Sequence, residues 1–441
     1  MSPGTTQRPG RDPGTAAGTT SEQPPPGRDR PRVGMALYGD LTYDSRVRKE
    51  ARSLAEAGYD VTIVCLASGA TDTDLPATVT VMVVLPTGAM VIPGSSNPFF
   101  AAPRGCIAAR RGRVAWLAAY VRGLRAWGRL AVEAAGPVDV WHAHDLSGLA
   151  AIIPNLHRGV PVVYDSHELF LETDTALRLP LPARLMLRAY ERRLVSRVSA
   201  VITVNEALAS VFRRRYRRLR VLAVHNCPDR WLPPVERPTV LREAAGVSRE
   251  APVILYHGAL STHRGVEQLM QALLEPGLED AHLVLMGFGE MRDDFIRASA
   301  EARWEDRVHV LEMVRPTELL PWVASADIGA MPIQPSTLNY RLSTPNKLFE
   351  CLAAGTPVIA SDFPAIRKII VDNPGGPLGA VCDPSRVDAI ADAIRSILRL
   401  ERADLEALRA RCSRAAAERW NWDRERKALI SVYSEIMPRR E

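Results

Sequence analysis

The sequence predicts an α/β protein built from two doubly wound, Rossmann-like parallel-sheet domains that face each other across a cleft. Three observations carry this. Short apolar runs alternate with segments of helical spacing, the pattern of parallel strands joined by helical crossovers. The alternation stops once, at the Pro-rich stretch "NCPDRWLPPVERP", and then restarts. Several runs end in glycine or in a charged turn, where open α/β sheets hold their ligands.

The elements follow in order. A tail, residues 1–31, is rich in Gly, Pro, Thr, Ser and Arg and nearly free of large apolar residues. Such a segment buries too little surface to offset its ordering entropy. The first domain, 32–225, opens with "VGMAL", the helical "RVRKEARSLAEAG" and "DVTIVCL". The strand-like "VDVWHAH", "PVVYDSH" and "AVITV" follow. A linker is expected over 226–250. The second domain, 251–420, carries "PVILYHG", "HLVLMGFG", "VHVLE", "DIGAMP", "PVIAS" and "GAVCD". Residues 421–441 are expected to form a C-terminal helix that crosses back to the first domain.

Composition narrows the function classes. The chain has 441 residues, 46% hydrophobic and 24% charged, which suits two or three globular domains. Its six cysteines include no CxxC pair, which argues against zinc and disulfide frameworks and fits a reducing, cytoplasmic setting. A net charge of +6 gives no reason to expect nucleic-acid binding. No apolar run is long enough to span a bilayer, and the N-terminus lacks a signal-peptide core.

The stretch "STPNKLFECLAAGTPVIASD" places Lys347 in the first turn of a helix, against the helix dipole. Thr344 is expected to cap this helix, with Pro345 at its first position. In "YHGALSTHRGVEQLMQAL" a strand ends at Gly258, Ser261 or Thr262 is the expected cap, and Arg264 falls in the first turn. In "VLMGFGEM", Gly287 and Gly289 permit close backbone approach to a ligand. A diphosphate held by helix-terminal N–H groups, Arg264 and Lys347 would resolve both misplaced cations. Glu350, about one turn deeper, is suited to a ribose hydroxyl pair. The plainer reading of each feature alone is a solvated charge or an ordinary turn; three in one domain, each after a strand, favour a site.

These segments resemble the retaining glycosyltransferases of family 4, of GT-B fold. The resemblance runs through "DSRVRKEARSLAEAGYDVTIV", "DVWHAHD", "VVYDSHELF", "GALSTHRGVEQLMQAL", "LVLMGFGE" and "PNKLFECLAAGTPVIASD", almost the whole ordered chain. It implies that the second domain binds a nucleoside diphosphate-sugar and the first an acceptor hydroxyl. Glu350 matches the family's ribose-binding glutamate, and Arg264 falls where the family has a diphosphate-binding lysine. Asn346 and Val314 are placed with the donor-side residues. Two positions depart from the pattern: Leu342 stands in place of a glutamate that contacts the donor sugar, and Ala259 in place of an arginine.

On the first domain, Gly39 and Asp40 turn the chain from strand to helix, and Arg46 is placed to reach across the cleft. The resemblance points His167 at the donor sugar, with His144 as second choice and Glu168 on the acceptor side. Asp72 and Asp74 have the spacing of a metal-binding DxD, but a solvated turn is the plainer reading. The stretch "RRGRVAWLAAYVRGLRAWGRLAVEA" carries Trp116, Tyr120 and Trp127. Its plainer reading is a packed crossover helix; with the basic "RRRYRRLR" it leaves peripheral contact with the inner face of a membrane open. The reaction implied is sugar transfer with retention, using no metal and no cofactor beyond the nucleotide-sugar. An epimerase or hydrolase would need a carboxylate pair that is not evident. Leu342 keeps a non-catalytic nucleotide-sugar-binding protein in play.

Overall fold

Seven parallel strands form the first sheet of the computed structural model, in the order β3-β2-β1-β4-β5-β6-β7. They are β1 (Arg32–Asp40), β2 (Asp60–Ala67), β3 (Val79–Val83), β4 (Val140–His144), β5 (Val162–Ser166), β6 (Ala200–Thr203) and β7 (Arg220–Ala223). The second sheet has six, in the order β10-β9-β8-β11-β12-β13. These are β8 (Val253–Ala259), β9 (His282–Phe288), β10 (Val308–Leu311), β11 (Ile328–Met331), β12 (Val358–Ser361) and β13 (Gly379–Cys382). The structure describes residues 30–42, 44–68, 75–86, 110–304 and 306–437, with side chains of the 110–135 helix from 117 onward. The expected tail (apart from its last two residues), Asp72, Asp74 and the Trp116 side chain lie outside them.

The inner strands are buried on both faces, so they read as continuous apolar runs rather than alternating ones. Strands β3 and β7 were not evident in the sequence. Both are edges, short and only partly buried, with little apolar signal. The helices of the first domain are α1 (Ser45–Glu56), α2 (Arg110–Ala135), α3 (Asp145–Ile152), α4 (Asp174–Leu177), α5 (Leu181–Val195) and α6 (Glu206–Arg215). Then come α7 (Val240–Ala245), α8 (Val266–Ala272), α9 (Arg292–Ser299), α10 (Leu319–Ala324), α11 (Leu338–Leu342), α12 (Asn346–Ala353), α13 (Pro364–Ile370), α14 (Val387–Leu398), α15 (Arg402–Glu418) and α16 (Trp422–Ile436).

Helix α2 is a packed crossover. Leu124, Trp127 and Ala131 are buried, and the Trp127 indole donates to the Val84 carbonyl at 2.8 Å. Gly128 lets α2 lie directly on α3, since a Cβ there would sit 2.0 Å from the Ala151 oxygen. The expected linker is shorter than 226–250: α7 falls inside it, and its Leu241 belongs to the second core.

Helix α16 packs on the first domain. Trp422, Leu429, Val432 and Tyr433 complete the core between α1 and the first sheet. Burial of such side chains contributes about 1.5–3 kcal/mol each. The Trp422 indole also donates to Ser53 Oγ at 2.8 Å.

In both sheets the strand order reverses beside the first strand, at β1/β4 and at β8/β11. The carboxyl ends at these two reversals frame the candidate site.

Candidate active site

Helix α12 begins at Asn346, one residue later than the sequence suggests. Pro345 takes the capping position in extended conformation, and no side chain caps the helix. Thr344 is not the cap, because its hydroxyl accepts from Asn205 Nδ2 of the first domain at 3.2 Å. Lys347 is therefore in the first turn, and its ammonium stands 3.5 Å from the centre of the Tyr256 ring. The π face of Tyr256 receives the charge that the helix dipole disfavours. Burial, and then the nearby Arg264, push the Lys347 ammonium down to about 7.

Gly258, with φ of +107°, is the last residue but one of β8 and lies beside that ammonium; a Cβ there would lie 3.6 Å from Nζ. One residue earlier, His257 Nε2 meets Glu350 Oε2 at 2.8 Å. Burial alone would raise the Glu350 carboxyl, but the His257 bond, with Lys49 and Lys347 nearby, holds it below the usual range. Its second oxygen remains for another donor.

Arg264 is not in the first turn of a helix. Helix α8 starts at Val266 behind Gly265, which adopts φ of +77° and approaches Pro332 so closely that a Cβ would lie 1.9 Å from its oxygen. Neither Ser261 nor Thr262 caps it; the Ser261 hydroxyl accepts from Arg264 Nε at 3.4 Å instead. The Arg264 guanidinium lies 5.1 Å from the Tyr340 ring centre. Gly287 and Gly289 shape the floor: a Cβ on the first would meet Gly258 O at 1.9 Å, and on the second Leu260 O at 2.3 Å. They let the ends of β8 and β9 close on each other. Val314 is half-buried after β10, and Asn346 is exposed at the start of α12.

The two domains touch through α11. Asn339 Oδ1 accepts from the Leu169 N–H at 2.8 Å, and its Nδ2 donates to Glu168 Oε2 at 3.4 Å. Asn205 Nδ2 donates to the Leu342 carbonyl at 2.9 Å. The Leu342 side chain packs against the first domain's core. The position where the family pattern has a glutamate is thus an apolar contact across the domains. Burial, reinforced by Asp145, raises the Glu168 carboxyl to about 7.

In the first domain, Gly39 is buried and Asp40 exposed at the end of β1, where Asp40 Oδ1 accepts from the Thr42 N–H at 2.8 Å. Arg46 does not reach across the cleft. It is 2% exposed and forms a two-pronged pair with Asp165, at 2.8 and 2.9 Å. It also donates to the Val224 carbonyl and lies 3.1 Å from Glu50. A buried guanidinium needs such partners, and β5 supplies them.

His144 is fully buried and does not line the cleft. Its Nδ1 lies 3.4 Å behind His167 Nε2, and burial together with His142 pushes it down to about 3, so it is neutral. His167 is partly exposed between two carboxylates. Its Nδ1 is 3.3 Å from Asp145 Oδ2, and its Nε2 is 3.2 Å from Asp165 Oδ2. Its backbone N–H also donates to Asp145 Oδ1 at 3.0 Å. Burial would lower the imidazole; Asp145 and Asp165 reverse this and raise it to about 10. His167 is an imidazolium at neutral pH, with no lone pair to act as a base.

Ligand atoms of Glu50, His142, His144 and Asp165 lie within 4.8 Å of one another, a grouping with metal-ligand chemistry. Arg46 already supplies the balancing cation. It and His167 outweigh burial and hold Asp165 well below the usual range, while burial pushes Glu50 well up. His142 Nδ1 lies 2.6 Å from the Tyr433 hydroxyl of α16. The cluster lies buried behind His167, and among the described residues both Glu50 oxygens and the Nε2 atoms of His142 and His144 have no hydrogen-bond partner.

Sequence reasoning missed Asp145, Asp165, His257, Asn205 and Asn339. The first three stand in "WHAHD", "YDSH" and "YHG", next to residues that were singled out. The two asparagines carry no local signal.

Two facing parallel sheets, with paired cations at one switch point and a clamped imidazolium at the other, define a two-domain nucleotide-dependent transferase layout. Two family profiles match in succession: "Glycosyl transferase 4-like domain" over residues 43–227 and "Glycosyl transferases group 1" over residues 251–399. The chain belongs to the GT-B glycosyltransferases. It is 29% identical to a D-inositol 3-phosphate glycosyltransferase of Xylanimonas cellulosilytica, over 69% of this chain and 74% of the relative. It is 27% identical to an alpha-D-kanosaminyltransferase of Streptomyces kanamyceticus, over 67% and 77%. Among solved structures, sucrose-phosphate synthase from Thermosynechococcus elongatus aligns with a TM-score of 0.69 at 17% identity, over 92% of this chain and 99% of that one. Anabaena HepE in complex with UDP-glucose aligns with a TM-score of 0.67 at 16% identity, over the same shares.

Proposed function

We propose that the protein transfers a hexose from a nucleoside diphosphate-sugar to an acceptor hydroxyl with retention of anomeric configuration, without a metal. The observation that carries this reading is the pair Arg264 and Lys347. Arg264 comes from the turn before α8 and Lys347 from the first turn of α12, and they lie close enough for Arg264 to depress the lysine. Glu350, one turn on from Lys347, is engaged by His257. A diphosphate between the two cations would relieve their repulsion.

The roles follow. The donor's ribose bonds the second Glu350 oxygen, with Asn346 and Val314 beside the nucleotide and Gly258, Gly287 and Gly289 beneath the phosphates. The bond from the anomeric carbon to the phosphate oxygen breaks, and its electron pair goes to the diphosphate. Arg264 and Lys347 stabilise that growing charge, the type of effect that commonly supplies several kcal/mol. The acceptor oxygen bonds the anomeric carbon from the face the phosphate leaves, and its proton passes to the leaving phosphate oxygen. His167, as a fixed cation, orients the donor sugar and does not take that proton. Gly39, Asp40 and Glu168 line the acceptor side. Among the described residues, a Cβ on Gly39 would meet only Leu37, at 3.5 Å.

The test is a panel of nucleoside diphosphate-sugars, read by thermal shift and by release of nucleoside diphosphate with and without candidate acceptors. Donor-dependent release and an α-linked product from an α-linked donor support the reading. Stabilisation without any turnover would overturn catalysis, and an inverted product would overturn retention.

A further inference from the structure

Helix α5 carries an outer face that the transfer reaction does not use. Ala183, Leu187, Glu191, Leu194 and Val195 turn inward. The opposite face exposes Leu181, Leu185 and Met186, at 64%, 56% and 63%. Leu181 and Leu185 stand one turn apart, and Met186, about 100° further round, stays on the outer half of the helix. Single exposed leucines are ordinary; three adjacent large apolar side chains rimmed by charge mark an interaction surface.

The rim is cationic. Arg188, Arg192 and Arg193 are exposed and Arg184 is half-buried. The only acid of α5, Glu191, is buried and accepts from the Tyr216 hydroxyl at 3.1 Å. Arg188 shares the carboxylate of Glu172 with Arg215, so that acid is already taken. A second copy is a poor occupant, because a two-fold pairing of this face would set arginines against arginines. Apolar side chains flanked by cations suit the headgroup boundary of an anionic bilayer.

We propose that the outer face of α5 docks on an anionic membrane surface, with Leu181, Leu185 and Met186 entering the interface and the arginines meeting lipid phosphates. No helix among the described residues is long and apolar enough to cross a membrane, so the contact is peripheral. Helix α5 packs on the Phe170–Glu172 turn, which also meets α4 and, at the cleft, α11. Docking therefore brings the acceptor side of the cleft to the membrane surface.

The experiment is vesicle flotation with the full chain, using phosphatidylcholine alone and phosphatidylcholine with phosphatidylglycerol. It needs no substrate, so its failure is distinct from failure of the transfer reading. The chain is expected to float with the anionic vesicles only, and less as salt is raised. The double variant Leu185→Asp/Met186→Asp is expected to weaken binding at least about tenfold, and Arg192→Glu/Arg193→Glu to abolish the preference for anionic lipid. Both should keep the native circular dichroism and donor turnover, since these side chains are exposed and outside the cleft. Absence of binding to anionic vesicles, or a Leu185/Met186 variant that binds like the parent, would overturn the proposal. So would a concentration-dependent dimer that this variant dissolves without any lipid effect.

Discussion

The Lys347 ammonium rests 3.5 Å from the centre of the Tyr256 ring, and burial, with Arg264 nearby, pushes it down to about 7. The folded value lies below the ordinary 10.5. The cost of burying the ammonium is therefore full below about pH 7 and is relieved as pH rises from there. A bound diphosphate favours the charged form and raises the lysine again. Binding of a nucleoside diphosphate should then take up a proton above about pH 7, and affinity should fall as pH rises through that window. Calorimetry in two buffers of different ionisation enthalpy measures the uptake. No uptake in mildly alkaline buffer would remove Lys347 from the phosphate site.

Removing either cation should cost rate rather than stability. Lys347→Met and Arg264→Ala should each lower kcat about 10²–10³-fold, the scale for losing one preorganised donor to a developing anion. The apo melting temperature should be unchanged or slightly raised for Lys347→Met, because a buried charge is removed. The double variant should fall short of the product of the two, since both act on one leaving group. A variant that melts early yet turns over at the parental rate contradicts this.

Glu350→Gln keeps the shape of the side chain and removes its charge. Donor affinity should weaken by about 1.5–3 kcal/mol, the range for a hydrogen bond to a charged group. The His257 contact can persist with the amide, so the fold should hold. Titration calorimetry with nucleoside diphosphate reads the change; parental affinity would take Glu350 out of the site.

Asp145 holds His167 from an unusual backbone, at φ of +56°. Asparagine tolerates that conformation, so Asp145→Asn keeps the turn and removes the charge. The His167 imidazole is raised, so its stabilising pairing is complete below the ordinary histidine value and is lost as pH rises through about 10. In Asp145→Asn that loss should move toward neutrality, and the alkaline limb of the rate profile should move with it. Imidazole NMR follows the titration directly. An unshifted His167 would show that Asp145 does not set its charge.

Arg46 is the cation paired with the buried carboxylates Asp165 and Glu50. Arg46→Met should destabilise the protein by about 3–5 kcal/mol, the cost of leaving buried carboxylates without their partner. EDTA should leave both melting temperature and turnover unchanged. Loss of either on chelation, with recovery on adding a divalent ion, would reassign Glu50, His142, His144 and Asp165 as ligands.

Both sheets were legible because β1, β2, β4 to β6 and β8 to β13 carry their own apolar signal, and helical spacing separates them. The edge strands β3 and β7 bury too little to show. The placement of Lys347 in the first turn of α12 and of Glu350 one turn on was legible because helix position is a local fact. Arg46 was misread for the opposite reason: its partner Asp165 lies 119 residues away, and nothing local announces that an arginine will be buried. The cap at α12 was misread because Thr344 answers to Asn205 rather than to its own helix. Tertiary partners decided each of these cases.

Helix α16 gives the first domain a late completion. Its Tyr433 hydroxyl reaches His142, and its Trp422 reaches Ser53, so a domain that begins near residue 32 is finished by residues made some 400 positions later. During synthesis the first sheet emerges with the α1 side of its core open until the second domain and α16 have left the ribosome. Domains usually fold in the order they are made. Here the first is held incomplete until the last, and a ribosome stalled before codon 422 would present an unfinished hydrophobic face to chaperones and proteases.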